Sequence, residues 1–569
     1  MRFHALACDY DGTLASEGRV PPRVLESLEK LKRTGRTLLL VTGRTQEGFL
    51  DRFPGAGLFS RIVLENGAVL FRPETGEFKT LARRPPPEFL EQLVARGVTP
   101  VISGKVIVAT REPHETAVLE VIRDLGLEMH VVFNKGAVMA LPSGVNKATG
   151  LAAALEELKL SPHSVVAIGD AENDHAFLEA SECGVAVANA LPSLKEKADW
   201  ITPSPEGEGV IELVRRLLSN DFADVEARLV RREIPLGEDE EGRPLRLSPY
   251  GLGVLVVGPS GGGKSTLTGG LMERLRLAGY QSCILDPEGD YQEVEGITAL
   301  GGRHRVPSVK EALDVLEHPD QTLALNLLGI PLEGRPAYFQ ELMPALMSQQ
   351  GRTGRPHWIV IDEAHHLFPN AGPSTEWKLT EKPDALLVVT LDPAHLSGDF
   401  LSWIDAAVFL GPEASISLNR FLKLVGRPPV DVRRNPTGPP EGLLWTRRRP
   451  SEATLFRALP SLLHRRRHLR KYAEGDVGPD KSFYFRGPEG KLNLRAQNLV
   501  VFLQMADGVD DGTWEFHRKQ GDYSRWFRDA IKDVGLSNLA REVESSSVPP
   551  AESRAMIRKL VEDQYTSPV

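Results

Sequence analysis

Short apolar runs recur along the N-terminal part of the chain, and each stops at a polar, turn-forming cluster. HALACDYDG, TLLLVTGR, RIVLENG and SVVAIGDA all have this form. Such unbroken runs fit strands buried on both faces, as in a parallel sheet. Between them lie stretches such as PPRVLESLEKLKRTG, with apolar positions three and four apart, the period of an amphipathic helix. Strands alternating with helices predict an α/β domain built on a parallel sheet.

The pattern changes along the chain and suggests boundaries. Over 84–142, KVIVAT and AVMALP flank the helix-like ETAVLEVIRDLG, which predicts a small α+β insert within a first domain at 1–218. Residues 219–248 are charged and turn-rich, with GEDEEGRPLR near the middle, and read as a linker. A second series of apolar runs follows: GVLVVGPSG, SCILDPEGDY, QTLALNLL, HWIVIDEAHH, ALLVVTLDP and AAVFLGP. It predicts a second α/β domain over 249–445. Residues 446–474, with HRRRHLRKY, read as a basic solvated linker, and phosphate contact is the alternative. Residues 475–569 read as mostly helical, with KSFYFRGPEGKLNL as a loop or hairpin ahead of the helices.

Composition adds limits. A chain of 569 residues holds about three or four domains. With 41% apolar and 25% charged residues it is of ordinary globular type. A net charge of −9 gives no global case for nucleic acid. Cys8, Cys183 and Cys283 are far apart and read as reduced core thiols. The first residues lack the apolar core of a signal peptide, and no run reaches the ~18 apolar residues of a membrane span. The expectation is a cytoplasmic protein without a membrane partner.

The candidate chemistry starts at Asp9-Tyr10-Asp11-Gly12-Thr13. Two carboxylates two residues apart at a strand end can divide the work of phosphoryl transfer. One attacks phosphorus, and the other protonates the leaving oxygen and then activates water. Thr42, in VTGR, can hydrogen-bond a phosphoryl oxygen, and Arg44 lies beside it. Lys147, ahead of a helix, can neutralise the phosphate and Asp9. GDAEND places Asp170, Asn173 and Asp174 in another strand-end loop. Mg²⁺ prefers hard oxygen donors, and Asp9, Asp170 and the Asp11 carbonyl can supply them, with Asp174 bound directly or behind them. In the insert, Arg83, Arg84, Lys105 and Arg111 read as solvated charges, with an anionic substrate as the alternative partner.

The second domain has its own signature. Gly258-Pro-Ser-Gly261-Gly262-Gly263-Lys264-Ser265-Thr266 follows an apolar strand and opens a helix. The glycines let backbone N–H groups wrap phosphates, Lys264 reaches the β and γ phosphates of ATP, and Ser265 can ligate Mg²⁺. HWIVIDEAHH ends a strand at Asp362, suited to Mg²⁺ through water, and Glu363 can polarise the attacking water. In DGTWEFHRKQGDYSRWFRDAIKD, Trp514, Phe516, Tyr523, Trp526 and Phe527 interleave with Arg518, Lys519, Arg525 and Arg528. The plainer reading is a helical core with arginines reaching outward; stacking on single-stranded nucleic acid is the alternative.

DYDGT, the threonine of VTGR, Lys147 and GDAEND, in that order, resemble motifs I to IV of the haloacid dehalogenase (HAD) superfamily. The insert, with ENG at 65–67, resembles the type IIB cap of Cof-type sugar phosphatases. The resemblance covers roughly 1–215 and implies a Rossmann-like fold, Asp9 as nucleophile, Asp11 as acid/base, and Mg²⁺-dependent phosphatase activity. GPSGGGKST, LDPEGDY, VIDEAHHLFP and VVTLDPAH resemble HerA/FtsK-like ATPases over roughly 245–440. That implies ATP hydrolysis, a γ-phosphate-sensing role for Thr390, and a hexamer with an arginine finger for which Arg420 and Arg427 are candidates. Three functional readings follow: a bifunctional phosphatase and ATPase acting on a phosphorylated small molecule such as a sugar phosphate; a nucleic-acid machine coupling translocation to end dephosphorylation; and an ATP-dependent scaffold with phosphatase activity only.

Overall fold

A computed structural model describes the chain from 1 to 569 apart from 48, 227–228, 293, 368–381, 397, 462–477, 479–480, 491, 532 and 567–569. In chain order the N-terminal part forms β1 (Ala5–Cys8), β2 (Thr37–Val41), β3 (Arg61–Leu64), β4 (Val69–Arg72) and β5 (Glu77–Thr80). The insert adds β6 (Ile102–Ser103), β7 (Val108–Arg111), β8 (Met129–Asn134) and β9 (Ala137–Pro142). The chain then returns with β10 (Val165–Gly169), β11 (Cys183–Ala186) and β12 (Trp200–Ile201).

Among the described residues the first sheet has the order β12-β11-β10-β1-β2-β3-β4-β5. It is parallel from β12 to β3 and closes with two antiparallel strands. β1 and β10 are buried throughout, as their unbroken apolar runs require. The two strands pair side by side, which brings the loops after Cys8 and Gly169 together. The insert is a separate antiparallel sheet, β6-β7-β9-β8. Helices Pro87–Ala95 and Glu115–Asp124 pack on it through Phe89, Leu93, Val118 and Val121. This is a Rossmann-like α/β unit carrying a small α+β insert.

The next part contains β13 (Ile234–Asp239), β14 (Pro244–Leu247), β15 (Gly253–Val257), β16 (Ser282–Asp286), β17 (Ile297–Gly301), β18 (Thr322–Asn326), β19 (Trp358–Ile361), β20 (Leu386–Thr390), β21 (Ala406–Leu410), β22 (Glu441–Thr446) and β23 (Arg449–Ala458). Their order is β14-β13-β23-β22-β21-β15-β20-β19-β16-β18-β17 among the described residues. The run from β21 to β17 is parallel, and β22, β23, β13 and β14 extend it antiparallel.

Two boundaries differ from expectation. Residues 234–247, expected inside a linker, are a hairpin of this sheet. The charged stretch is its turn, where Asp239 accepts from the backbone N–H of Glu241 and Arg243 and pairs with the Arg243 guanidinium. Part of the expected basic linker is likewise sheet: β23 pairs with β22 and β13. HRRRHLRKY, at 464–472, lies outside the described residues.

The C-terminal part has a hairpin, β24 (Phe483–Phe485) and β25 (Leu494–Ala496), followed by helices Leu499–Gly508, Asp511–Gln520, Asp522–Asp529, Val534–Ser545 and Pro550–Val561. Trp514, Tyr523, Trp526 and Phe527 are buried in its core, as the plainer reading expects, while Phe516 is only half-buried and Arg518, expected to reach outward, is buried and donates to the Ser546 and Val548 carbonyls.

The two large sheets meet through the N-terminal ends of their strands. His163 and Glu182 precede β10 and β11, and Tyr280 and Arg355 precede β16 and β19. The His163 ring stacks on Tyr280 at 3.8 Å, and its Nε2 lies 2.8 Å from the Ala278 carbonyl. The Tyr280 hydroxyl donates to Glu182 (3.1 Å), and Arg355 donates to the Lys159 carbonyl. The C-terminal ends, which carry the candidate chemistry, therefore face away from this junction. Among the described residues no helix is long and apolar enough to cross a membrane.

Candidate active site

Asp9 follows β1 directly, with its N–H bonded to the Ile168 carbonyl of β10. Its neighbour across the sheet is the loop after β10. There the Asp174 carboxylate accepts from the N–H of Asp170 (2.8 Å) and Ala171 (2.9 Å), which folds the loop back over the strand end. Lys147 opens the helix Lys147–Glu157, whose start is fixed by a capping box between Asn146 and Thr149. Its Nζ donates to Asp9 Oδ1 and Asp174 Oδ1, each at 2.5 Å. All three side chains are buried.

Carboxylate oxygens of Asp9, Asp170 and Asp174 lie within 4.8 Å of one another. Burial and the Asp174 charge push the Asp9 carboxyl above its ordinary range, against the pull of Lys147. Burial also raises Asp170, against Lys135. Burial works against the Lys147 charge, but Asp174 and Asp9 outweigh it and hold the ammonium above its ordinary range. Three carboxylates face two ammonium groups here, so the cluster is short of positive charge. A hard divalent cation fits that deficit, and oxygen-only donors suit Mg²⁺. Asp174 takes close protein donors on both oxygens, Asp170 takes Lys135 on Oδ2 and only a long contact from Thr13 (3.4 Å) on Oδ1, and Asp9 takes Lys147 on Oδ1, so Asp9 and Asp170 are the less committed carboxylate donors.

Gly12 has a positive φ of 81°, and a Cβ there would sit 2.4 Å from Asp170 Oδ2. The turn therefore needs glycine on two counts. Arg44 holds Asp11 with two hydrogen bonds, 2.8 and 2.7 Å, in fork geometry. Thr42 is buried at the end of β2, and its hydroxyl accepts from the Arg44 N–H (3.2 Å). Asn173 donates to Asn66 (2.8 Å).

The cap enters through a residue that sequence reasoning missed. Lys135 forms the β8–β9 turn at φ 47°, and its Nζ donates to Asp170 Oδ2 (2.6 Å) and lies 3.5 Å from the Asp11 carbonyl. The available signal was a lysine in an Asn-Lys-Gly turn between two apolar strands. The charges expected as surface groups are placed elsewhere: Arg84 bonds Ser103 and Lys105 lies over Phe78. Glu65 was missed as well. Its buried carboxylate accepts from the N–H of Lys105, Val106 and Ile107 at 2.8–3.0 Å, clamping the cap connection.

The profile of a family described as haloacid dehalogenase-like hydrolase matches residues 6–97 and 104–214. A phosphoglycolate phosphatase of Methanothermobacter thermautotrophicus is 33% identical over 225 residues, covering 38% of this chain and 99% of that protein. The chain belongs to the haloacid dehalogenase-like hydrolase family. Phosphoglycolate phosphatase 2 of Saccharolobus solfataricus is 31% identical over 38% of this chain and 93% of its own length. A haloacid dehalogenase-like hydrolase structure from Bacteroides thetaiotaomicron covers 38% of this chain and 99% of its own at 21% identity, with a TM-score of 0.34.

Beyond this hydrolase unit, the second sheet gathers the other predicted residues at the C-terminal ends of its strands. The Gly258–Thr266 loop joins β15 to the helix Lys264–Leu277. Gly261 and Gly263 turn it at φ 76° and 93°, where a side chain would be strained. Gly262 packs against Pro259, Ser265 is half-buried and Thr266 is exposed. Lys264 Nζ lies 3.5 Å from Glu363 Oε1. Asp362 accepts from the buried Tyr291 hydroxyl (3.0 Å), a partner not expected from sequence. Burial raises the Glu363 carboxyl against the pull of Lys264. β20 lies between β15 and β19, so Thr390 at its end falls between Lys264 and Glu363. The Gly258 N–H bonds the Thr390 carbonyl (3.4 Å). Arg420 pairs with Asp392, two residues beyond.

Proposed function

We propose that the N-terminal unit is a Mg²⁺-dependent phosphomonoesterase that works through an aspartyl-phosphate on Asp9. The observation that carries this reading is Lys147 fixed between Asp9 and Asp174 beside the Arg44–Asp11 pair. One Asp9 oxygen attacks phosphorus while the ester P–O bond breaks and the leaving oxygen takes a proton from Asp11. Water then attacks phosphorus, gives a proton to Asp11, and releases Asp9. Lys147 keeps the attacking oxygen aimed and offsets the phosphoryl charge. Thr42 and the loop N–H groups hold phosphoryl oxygens. Asp11 leaves the Arg44 fork when it serves the leaving group. Asp9, Asp170 and the Asp11 carbonyl would hold a Mg²⁺, which would supply the positive charge that the cluster lacks.

The substrate in this reading is a short phosphorylated carboxylate of the phosphoglycolate type. Two supports favour it over a sugar phosphate. Lys135 brings the cap down onto Asp170 and sets a cation beside the cluster that would meet the carboxylate of a short substrate. The relatives from Methanothermobacter and Saccharolobus carry the phosphoglycolate phosphatase name. The test is phosphate release from phosphoglycolate, phosphosugars, nucleotides and phosphorylated DNA ends, with Mg²⁺ and with Asp9→Asn as blank. Preference for phosphoglycolate supports the reading; preference for phosphosugars or DNA ends replaces it.

A second activity rests on the other sheet. Here we read Gly258–Thr266, Asp362, Glu363 and Thr390 as an ATP-hydrolysing site, with Mg²⁺ through Ser265 and Asp362. The Lys264–Glu363 pair, 3.5 Å apart at the ends of the two strands that flank β20, supports it, because it sets both side chains beside the glycine loop that would wrap the phosphates. Lys264→Ala should abolish ATP hydrolysis and leave phosphate release from phosphoglycolate intact. Equal ATPase rates in the variant and the parent would contradict the assignment. An arginine finger and a hexamer belong to the same reading, with Arg427 the freer of the two candidates because Arg420 is paired.

A further inference from the structure

The C-terminal domain carries a groove that neither catalytic reading uses. Two cavities, about 700 and 550 Å³, adjoin there and share Gln520 and Arg525 in their walls. The first is lined by the β24 hairpin and the face of helix Asp511–Gln520, with Tyr484, Phe516 and the edge of Trp526 among its walls. The second runs between helices Asp522–Asp529 and Val534–Ser545, with Lys519, Arg528 and Arg541 among its walls.

The charges along this groove are not balanced. Its carboxylates already have partners within the domain. Asp522 serves His517 and Arg525, Asp529 serves Arg528, and Glu544 accepts from the N–H of Tyr523 and Ser524 through Oε1, while its buried Oε2 makes no hydrogen bond among the described residues. Lys481, Arg486, Lys519 and Arg541 line the same groove, are exposed, and make no ion pair among the described residues. The Arg486 guanidinium instead lies 5.7 Å from the Tyr484 ring. Four unpaired cations in one groove stand out on a chain of net charge −9.

We propose that this groove binds single-stranded nucleic acid. Cations spaced along a groove track a phosphodiester backbone, while half-buried aromatic faces accept bases by stacking, with little preference for sequence. An acidic peptide would use the cations but would give Tyr484 and Phe516 no planar partner. A duplex would keep its bases away from them. The proposal stands independently of both catalytic readings.

The test uses the full chain and fluorescence anisotropy with a labelled oligothymidylate of about 20 nucleotides, long enough for one such site. The expected result is binding that weakens steeply with salt and exceeds binding of a duplex of equal length. Lys519→Ala/Arg541→Ala should weaken binding at least tenfold. It should also lower the slope of log K against log salt by about 1.4, at roughly 0.7 for each lost phosphate contact. Tyr484→Ala/Phe516→Ala should weaken binding severalfold at unchanged salt slope. Phosphate release by the N-terminal unit should be unaltered in both variants. The proposal is overturned if the parent does not bind at low salt. It is also overturned if the exposed-cation variant binds like the parent, since the affinity then resides elsewhere. Equal competition by an oligoglutamate of the same length would make the site a general polyanion surface and overturn the single-strand assignment.

Discussion

At the scale of single residues, the loops after β1 and β10 approach each other within a few ångströms. A Cβ on Gly12 would lie 2.4 Å from Asp170 Oδ2 and 2.5 Å from Lys135 Nζ. Gly12→Ala should therefore displace Asp170 and lower kcat by about 10²-fold, the cost of an ångström-scale misplacement. Steady-state kinetics beside an unchanged circular-dichroism spectrum checks this. A near-parent kcat would show that the turn absorbs the methyl. Lys135 makes a different prediction. If its ammonium receives the substrate carboxylate, Lys135→Ala should raise KM for phosphoglycolate about tenfold and leave p-nitrophenyl phosphate nearly unchanged. Equal losses on both substrates would instead assign Lys135 to the phosphoryl group. Asp9, Asp11, Thr42, Arg44 and Lys147 could be singled out as candidates because each sits in or beside a cluster of polar residues that interrupts the apolar runs. Lys135 was not, because a lysine in a hairpin turn looks like any solvated charge until the cap is docked.

Elements carry the next level of specificity. The loop at Glu65 and Asn66 adopts positive φ at two non-glycine residues, 54° and 52°, a conformation that costs free energy and persists only when neighbours enforce it. The clamp on Lys105, Val106 and Ile107 is the visible return. Glu65→Ala would leave three N–H groups without their acceptor, at about 1–3 kcal/mol for each one that stays buried. The expected outcome is a cap that opens more readily. Hydrogen exchange at 105–107 should accelerate relative to the rest of the domain, and unchanged protection there would rule out the clamp. Parallel strands were readable because burial on both faces leaves continuous apolar runs. The β13–β14 hairpin was not, because its turn is charged and its strands mix polar and apolar positions. Charge density suggested a linker where Asp239 and Arg243 in fact close a turn.

For the whole molecule, the junction between the two large sheets is the feature no motif announces. Glu182 is buried there with Arg2, His163 and Tyr280. Burial alone would raise its carboxyl, but Arg2, His163 and Arg232 reverse this and hold it at about 2, below the ordinary 4.5. A carboxyl depressed on folding contributes stability above its unfolded value, and that contribution is lost as pH falls toward the folded value. The junction should thus weaken between about pH 4.5 and 2. Glu182→Gln should melt at lower temperature than the parent near neutrality, and the gap should close as pH falls through that window. A gap independent of pH would remove the ion-pair explanation. The partners of Glu182 lie up to 180 positions away in sequence, so only the folded chain brings them together.

The central claim is that Asp9 carries the hydrolytic chemistry of the N-terminal unit. It is tested most directly by phosphate release from phosphoglycolate in the presence of Mg²⁺, parent against Asp9→Asn, with ATP hydrolysis followed in the same preparations. The account predicts that the substitution removes phosphate release from phosphoglycolate while ATP hydrolysis continues at the parent rate. Release from phosphoglycolate by Asp9→Asn at the parent rate would contradict it.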